Sequence, residues 1–344
     1  MRYIGGKSLL LNNIQSVIDT YTDNNIDTIM DLFSGSGVVG ANMKHNGYGV
    51  VSNDLLYFSF AISRGTTGIN TQPTFNALKA QGILNPIERL NNLRIEDTDF
   101  NINKCFIYQN YSPNASCERM YFQNANALKI DIIRLQIEQW KNDNLLTDDE
   151  YYYLLASLLL AVPYVSNITG TFGAYLKYWD KRTFNNLTMT AHDIETGKSC
   201  QCLWGDYTKA LSVETTVLYA DPPYNSREYL PNYHVMETIA RYDYPNIKGV
   251  TGIREYSKEK SVFCKKATVV NAFDILLKNA RSKYIIISYN NEGLITTEEL
   301  SSLCERYAKT NTFRLLEYDY RRYKNKIPNN SDGLKEQIYF LERN

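Results

Sequence analysis

The sequence predicts an α/β fold, a sheet domain interrupted by a mostly helical insertion. Three observations predict it. Residues 26–54 read as strand, glycine turn, helix and strand, which is one βαβ unit. Alternating strand and helix patterns return after residue 200, and between about 60 and 190 clear strand patterns are scarce.

In chain order, Leu9, Leu10, Ile14, Val17 and Ile18 recur at helical spacing over 8–19. Ile26 to Phe33 reads as a strand, Ser34-Gly35-Ser36-Gly37 as a tight turn, and Val38 to Lys44 as the start of a helix. Tyr48 to Ser52 is a second strand, ending at Asn53-Asp54. The insertion carries helices over 126–140 and 148–162, then an aromatic and glycine-rich segment over 166–179. Strands follow over 201–205, 217–220 and 283–289, then a helix over 297–308. Strands near 312–320 and 335–342, joined by a basic loop containing Pro-Asn-Asn, predict an antiparallel hairpin.

The 344 residues suffice for two domains, or for one with a large insertion. A hydrophobic content of 44% and a charged content of 22% are ordinary for a globular protein. No charged, then apolar, leader opens the sequence, and the longest apolar run, Leu154 to Val165, is too short for a bilayer. A cytoplasmic protein with no membrane partner is expected. The six cysteines are scattered, form no C-x-x-C pair and lie far from the three histidines, so no metal site is expected. Net charge is zero, yet from Arg227 onward about 20 Lys/Arg face about 15 Asp/Glu. Basic residues cluster at Arg254, Lys258, Lys260, Lys265 and Lys266, and again at Arg321, Arg322, Lys324 and Lys326.

Two segments carry chemistry. In Asp31-Leu32-Phe33-Ser34-Gly35-Ser36-Gly37, glycines after a strand let a ligand approach the backbone at a helix N-terminus. Asp54 falls about twenty residues later, where an acid accepts bonds from ribose hydroxyls. The full phosphate-binding glycine pattern is absent, and Gly5-Gly6-Lys7 lacks the spacing of a phosphate loop. A cofactor with a ribose and no phosphate, such as S-adenosylmethionine, fits better than a dinucleotide. The second segment is Asp221-Pro222-Pro223-Tyr224, at the end of the apolar run Thr216 to Ala220. A carboxylate, two prolines and an aromatic ring there form a stiff ledge suited to a flat, amine-bearing ring.

Leu218 to Tyr224 resembles the amino-methyltransferase signature in its D-P-P-Y variant. Tyr3 to Lys7 resembles that family's N-terminal motif, and Asp31 to Gly37 its cofactor loop. The motif order is similar to that of the Dam-like (D12, or alpha) class of DNA adenine-N6 methyltransferases. Arg227 to Arg254 is closer still to the methylase halves of FokI-type restriction–modification systems. The resemblance implies a Rossmann-like, S-adenosylmethionine-dependent sheet and no metal. It divides the chain into a catalytic part over 1–59, an inserted target-recognition domain over 60–190 and a second catalytic part over 191–344.

The resemblance also implies site residues. Cofactor contacts fall on Tyr3, Lys7, Asp31, Phe33, Ser34, Gly35, Gly37, Asp54, Asp206 and Asp221. Asp206 reads equally as a helix N-cap. Val165 to Lys177 resembles the DNA-contacting hairpin, which places Asn167, Thr169 and Lys177 on duplex DNA. Arg227, Arg254, Lys258, Lys260, Lys265, Arg322 and Lys324 are expected at phosphates.

The implied chemistry is methyl transfer to adenine N6, with Asp221 and the Pro222 carbonyl accepting the amine hydrogens and Tyr224 stacking on the base. Cytosine N4 is the alternative substrate, and a DNA-binding subunit with an idle fold the alternative class. No Pro-Cys dipeptide occurs, which argues against attack on cytosine carbon 5. A cognate restriction endonuclease is the expected functional partner.

Overall fold

The computed structural model describes residues 6–23, 25–319 and 335–344. Seven strands form the central sheet: β1 (Thr28–Asp31), β2 (Gly49–Asp54), β3 (Cys200–Trp204), β4 (Thr215–Ala220), β7 (Ser282–Asn290), β8 (Arg314–Asp319) and β9 (Lys335–Glu342). A separate ribbon pairs β5 (Ile247–Lys248) with β6 (Ile253–Arg254). The sheet order is β3-β2-β1-β4-β7-β9-β8. From β3 to β7 every pairing is parallel; β9 runs antiparallel between β7 and β8. The expected βαβ unit and terminal antiparallel pair are both present. The order reverses between β1 and β4, so the crevice beyond their C-terminal ends is where this topology places ligands.

Residue alternation covers both faces of the sheet. Ile29, Val50, Val217 and Ile286 face one way and pack on the helices Leu11–Tyr21 and Val38–His45. Met30, Val51, Leu218 and Ile287 face the other way, against Lys266–Asn279 and Thr297–Tyr307. Each fully buried aliphatic side chain of this kind contributes about 1.5–3 kcal/mol.

Between β2 and β3 no strand longer than an isolated bridge occurs among the described residues. The chain there passes through helices that include Tyr57–Gly65, Asn124–Asn142 and Asp148–Ala161. They share one apolar core with a helix from beyond β4, Leu230–Arg241. Gly65 explains one close packing: a Cβ there would lie 2.1 Å from the Tyr152 carbonyl oxygen. Helix Tyr57–Gly65 escapes local prediction because its N-cap, Leu56, has no capping side chain. The buried carboxylate of Glu237 does that work instead, accepting from Tyr57 N at 3.0 Å and Phe58 N at 2.9 Å.

Candidate active site

Four strand ends converge on the crevice. After β1 the chain turns through Gly35 and Gly37, both with positive φ (50° and 76°), and Gly37 caps the helix Val38–His45. The turn leans on the next strand, since Ser34 N donates to the Asn53 carbonyl at 2.9 Å. Asp54, at the end of β2, accepts from Gly35 N at 2.7 Å and Leu56 N at 2.8 Å. β4 delivers Asp221, and Leu32 N donates to the Tyr219 carbonyl at 3.0 Å. Asp206 follows β3.

A cleft opens beyond these strand ends. Phe33, Gly35, Asp54, Asp206, Asp221 and Pro223 line it. A recess beside it brings Lys7, Asp31, Ser34 and Ser36 to Phe33, Gly35 and Asp221. Gly37 shapes the turn and lines neither space. Pro222 is buried. The Tyr224 ring stands 5.8 Å from Lys7 Nζ and edge-on to Tyr289 at 6.4 Å. Asp206 is the helix N-cap, accepting from Thr208 N at 3.0 Å, and lines the cleft as well.

Burial dominates the acids. It raises Asp221 to about 6, with Lys7 opposing and Glu336 adding. It raises Asp31 to about 7 against the Gly40 amide, and Asp54 to about 6 against the Leu56 and Gly35 amides. For Lys7, burial acts downward, but Asp221 and then Glu336 outweigh it and hold the ammonium well above its ordinary value.

The expected DNA contacts divide. Thr169, Lys177, Arg227, Lys258, Lys260 and Lys265 are exposed. Asn167 is fully buried, and its amide closes its own loop. It donates to the Leu176 and Tyr178 carbonyls at 2.9 and 3.0 Å and accepts from Asp180 N at 3.0 Å. Both amide hydrogens are occupied, so Asn167 shapes the loop and does not present them to a base. The segment 165–177 is such a loop, not a β-hairpin. Arg254 is also buried, with Nη1 and Nη2 on the two Asp243 oxygens at 2.9 and 2.6 Å. This bidentate pair ties the β6 ribbon to the end of helix Leu230–Arg241 and leaves no guanidinium for phosphate. Tyr3, Arg322 and Lys324 lie outside the described residues.

A family model for D12 class N6 adenine-specific DNA methyltransferases matches residues 3–303. The chain belongs to this family. It is 43% identical over its whole length to the type II methyltransferase M.FokI of Planomicrobium okeanokoites, covering 53% of that protein. It is 39% identical to the modification methylase StsI of Streptococcus sanguinis, again over its whole length and 52% of the relative. The chain thus spans about half the length of these curated relatives. It is also 36% identical to the type II methyltransferase M.NlaIII of Neisseria lactamica, across all of the chain and 99% of that protein.

The methyl donor of a D12 methyltransferase is S-adenosylmethionine, and the cleft fits it. Five carboxyl side chains line the cleft: Asp54, Asp206, Asp221, Glu228 and Glu259. No Lys, Arg or His does so among the described residues. A pyrophosphate would meet no counter-charge there, whereas a cationic sulfonium finds acids. No group of three or more His, Cys, Asp or Glu suited to a metal occurs among the described residues. Among them too, no helix is long and apolar enough to cross a membrane.

Motif reading overlooked three groups at this cleft. Glu336 of β9 ion-pairs with Lys7 at 2.8 Å. Arg241 bridges Glu237 at 2.7 Å and Glu259 at 2.6 Å, linking the helical core to the cleft wall. Glu259 itself lines the cleft. Glu336, Arg241 and Glu259 carry no local sequence signal.

Proposed function

We propose that the chain is a site-specific DNA methyltransferase that modifies N6 of a flipped-out adenine. One observation carries the reading: Asp221-Pro222-Pro223 follows β4 at the switch point and opens into a cleft lined by acids and, among the described residues, by no base. When bound, S-adenosylmethionine supplies an electrophilic methyl group. Asp221 accepts one amine hydrogen and the Pro222 carbonyl the other, which frees the nitrogen lone pair. The Pro222 ring restricts its backbone and so steadies that acceptor. Asp221 then stabilises the positive charge that develops on N6. Tyr224 stacks on the base, offsetting part of the unstacking cost of a few kcal/mol.

Asp54 and Asp206 serve the ribose and adenine end of the cleft, and Lys7, Asp31 and Ser34 the recess. Residues 60–190 form the target-recognition part and 1–59 with 191–344 the catalytic part. Thr169, Lys177, Arg227, Lys258, Lys260 and Lys265, all exposed, supply DNA contacts. The enzyme works in the cytoplasm, with a restriction endonuclease of the same specificity as its functional partner.

The test is radiolabelled methyl transfer to unmethylated bacteriophage DNA, followed by identification of the modified base. N6-methyladenine is expected; N4-methylcytosine, or no product from folded protein, overturns the reading. Asp221→Ala should abolish transfer and leave cofactor affinity within about threefold, a loss confined to the transition state. Long-read methylome sequencing of a host expressing the chain then gives the recognition sequence.

A further inference from the structure

We infer that Glu336 is a positioning residue for methyl transfer: it draws the Lys7 ammonium to one side of Asp221, leaving Oδ2 as the acceptor for the adenine amine. The inference rests on the reading of Asp221 as that acceptor.

The geometry is a buried line of charges from three parts of the chain. Lys7 Nζ lies 3.0 Å from Asp221 Oδ1 and 2.8 Å from Glu336 Oε1. The Lys7 and Glu336 side chains are 6% and 5% exposed, whereas Asp221 keeps 18%. β9 runs against its neighbours, so its first residues, not its last, reach the ligand edge of the sheet. There Glu336 stands in register with Asn290, at the end of β7. Among the described residues, Lys7 is the only cation in ion-pair contact with Glu336. A carboxylate this deeply buried requires such a partner.

The consequence concerns both charge and direction. A lysine paired with Asp221 alone is free to straddle both oxygens, occupying the acceptor that the amine needs and cancelling its charge. Glu336 competes for the same ammonium and keeps it at Oδ1. The trio then carries one net negative charge, beside Asp31 on β1, Tyr219 on β4 and Tyr229 at the start of helix Leu230–Arg241. A net negative charge is the complement of a positive charge developing on N6.

The experiment compares wild type, Glu336→Gln, Lys7→Met and the double variant in single-turnover methyl transfer to unmethylated bacteriophage DNA. Affinities for S-adenosylmethionine and for the DNA are measured alongside. Glu336→Gln should lose roughly tenfold or more in rate, with both affinities within about threefold. In the Lys7→Met background the same substitution should cost nothing further, because its effect runs through Lys7. A wild-type rate, an equal loss in both backgrounds, or a loss confined to affinity overturns the inference. Should Glu336→Gln fail to fold, Glu336→Met fills the same space without charge and is read the same way. Asp221→Asn separates the two ideas. An active variant overturns the reading of Asp221 itself. An inactive one beside a normal Glu336→Gln overturns only the role of Glu336.

Discussion

The Gly35 amide donates to Asp54 Oδ2 at 2.7 Å, locking the glycine turn after β1 to the end of β2. The second Asp54 oxygen holds Leu56 N, and Gly35, Asp54 and Leu56 all line the cleft. One carboxylate therefore ties together three residues of the cleft wall.

Asp54→Ala should orphan two backbone amides and remove an acceptor from the cleft. A ligand donor left without its buried acceptor costs about 1–3 kcal/mol, and 1.4 kcal/mol is a factor of ten in affinity. Titration calorimetry with S-adenosylmethionine should show affinity falling at least about tenfold. Unchanged binding would exclude Asp54 from the site.

Activity should fall as pH drops through about 6. Burial raises Asp221 to about 6, so the acceptor gains its proton below that value and can no longer accept from the amine. Asp31, raised to about 7, and Asp54, raised to about 6, protonate over the same range. A raised carboxyl is ionised only above its shifted value. The acid limb of kcat/KM, which reports the free enzyme, should lie near pH 6. A limb near pH 4 would place Asp221 in a solvated setting.

Glu237→Ala should destabilise the protein by about 3–5 kcal/mol, the cost of breaking a buried pair. It removes the cap of helix Tyr57–Gly65 and leaves Arg241 with Glu259 alone. Urea unfolding measures the loss. A change below about 0.5 kcal/mol would mean the cap contributes only as an exposed surface pair does.

Lys177 and Arg254 should part company although both were expected on DNA. Lys177→Ala should weaken DNA binding and flatten its salt dependence by about one phosphate contact. Arg254→Ala should lower the unfolding midpoint, because Asp243 loses its bidentate partner, and leave the salt slope unchanged. Binding measured across a salt series, beside thermal unfolding, distinguishes the two.

Local patterns carried much of the fold. Strand alternation, the glycine turn and the strand-ending Asp54 and Asp221 all rest on near-neighbour sterics, so they are legible along the chain. The expected helices over 126–140 and 148–162 appear as Asn124–Asn142 and Asp148–Ala161 for the same reason. Helix Tyr57–Gly65 was missed because its cap comes from a residue 180 positions away. Asn167 and Arg254 were misplaced because an amide or a guanidinium looks the same in sequence whether it faces DNA or a buried partner.

By itself the sequence determined the βαβ unit, the later strands of the sheet, the stiff Asp-Pro-Pro-Tyr ledge and the absence of a phosphate loop. These depend on backbone conformation and side-chain type at neighbouring positions. Only the tertiary structure decided which charges are buried together. Lys7, Asp221 and Glu336 meet because β9 enters the sheet antiparallel, bringing its first residues to the ligand edge. Desolvation and pairing at that edge, not residue type, set the ionisation of Asp221 and which of its oxygens Lys7 takes.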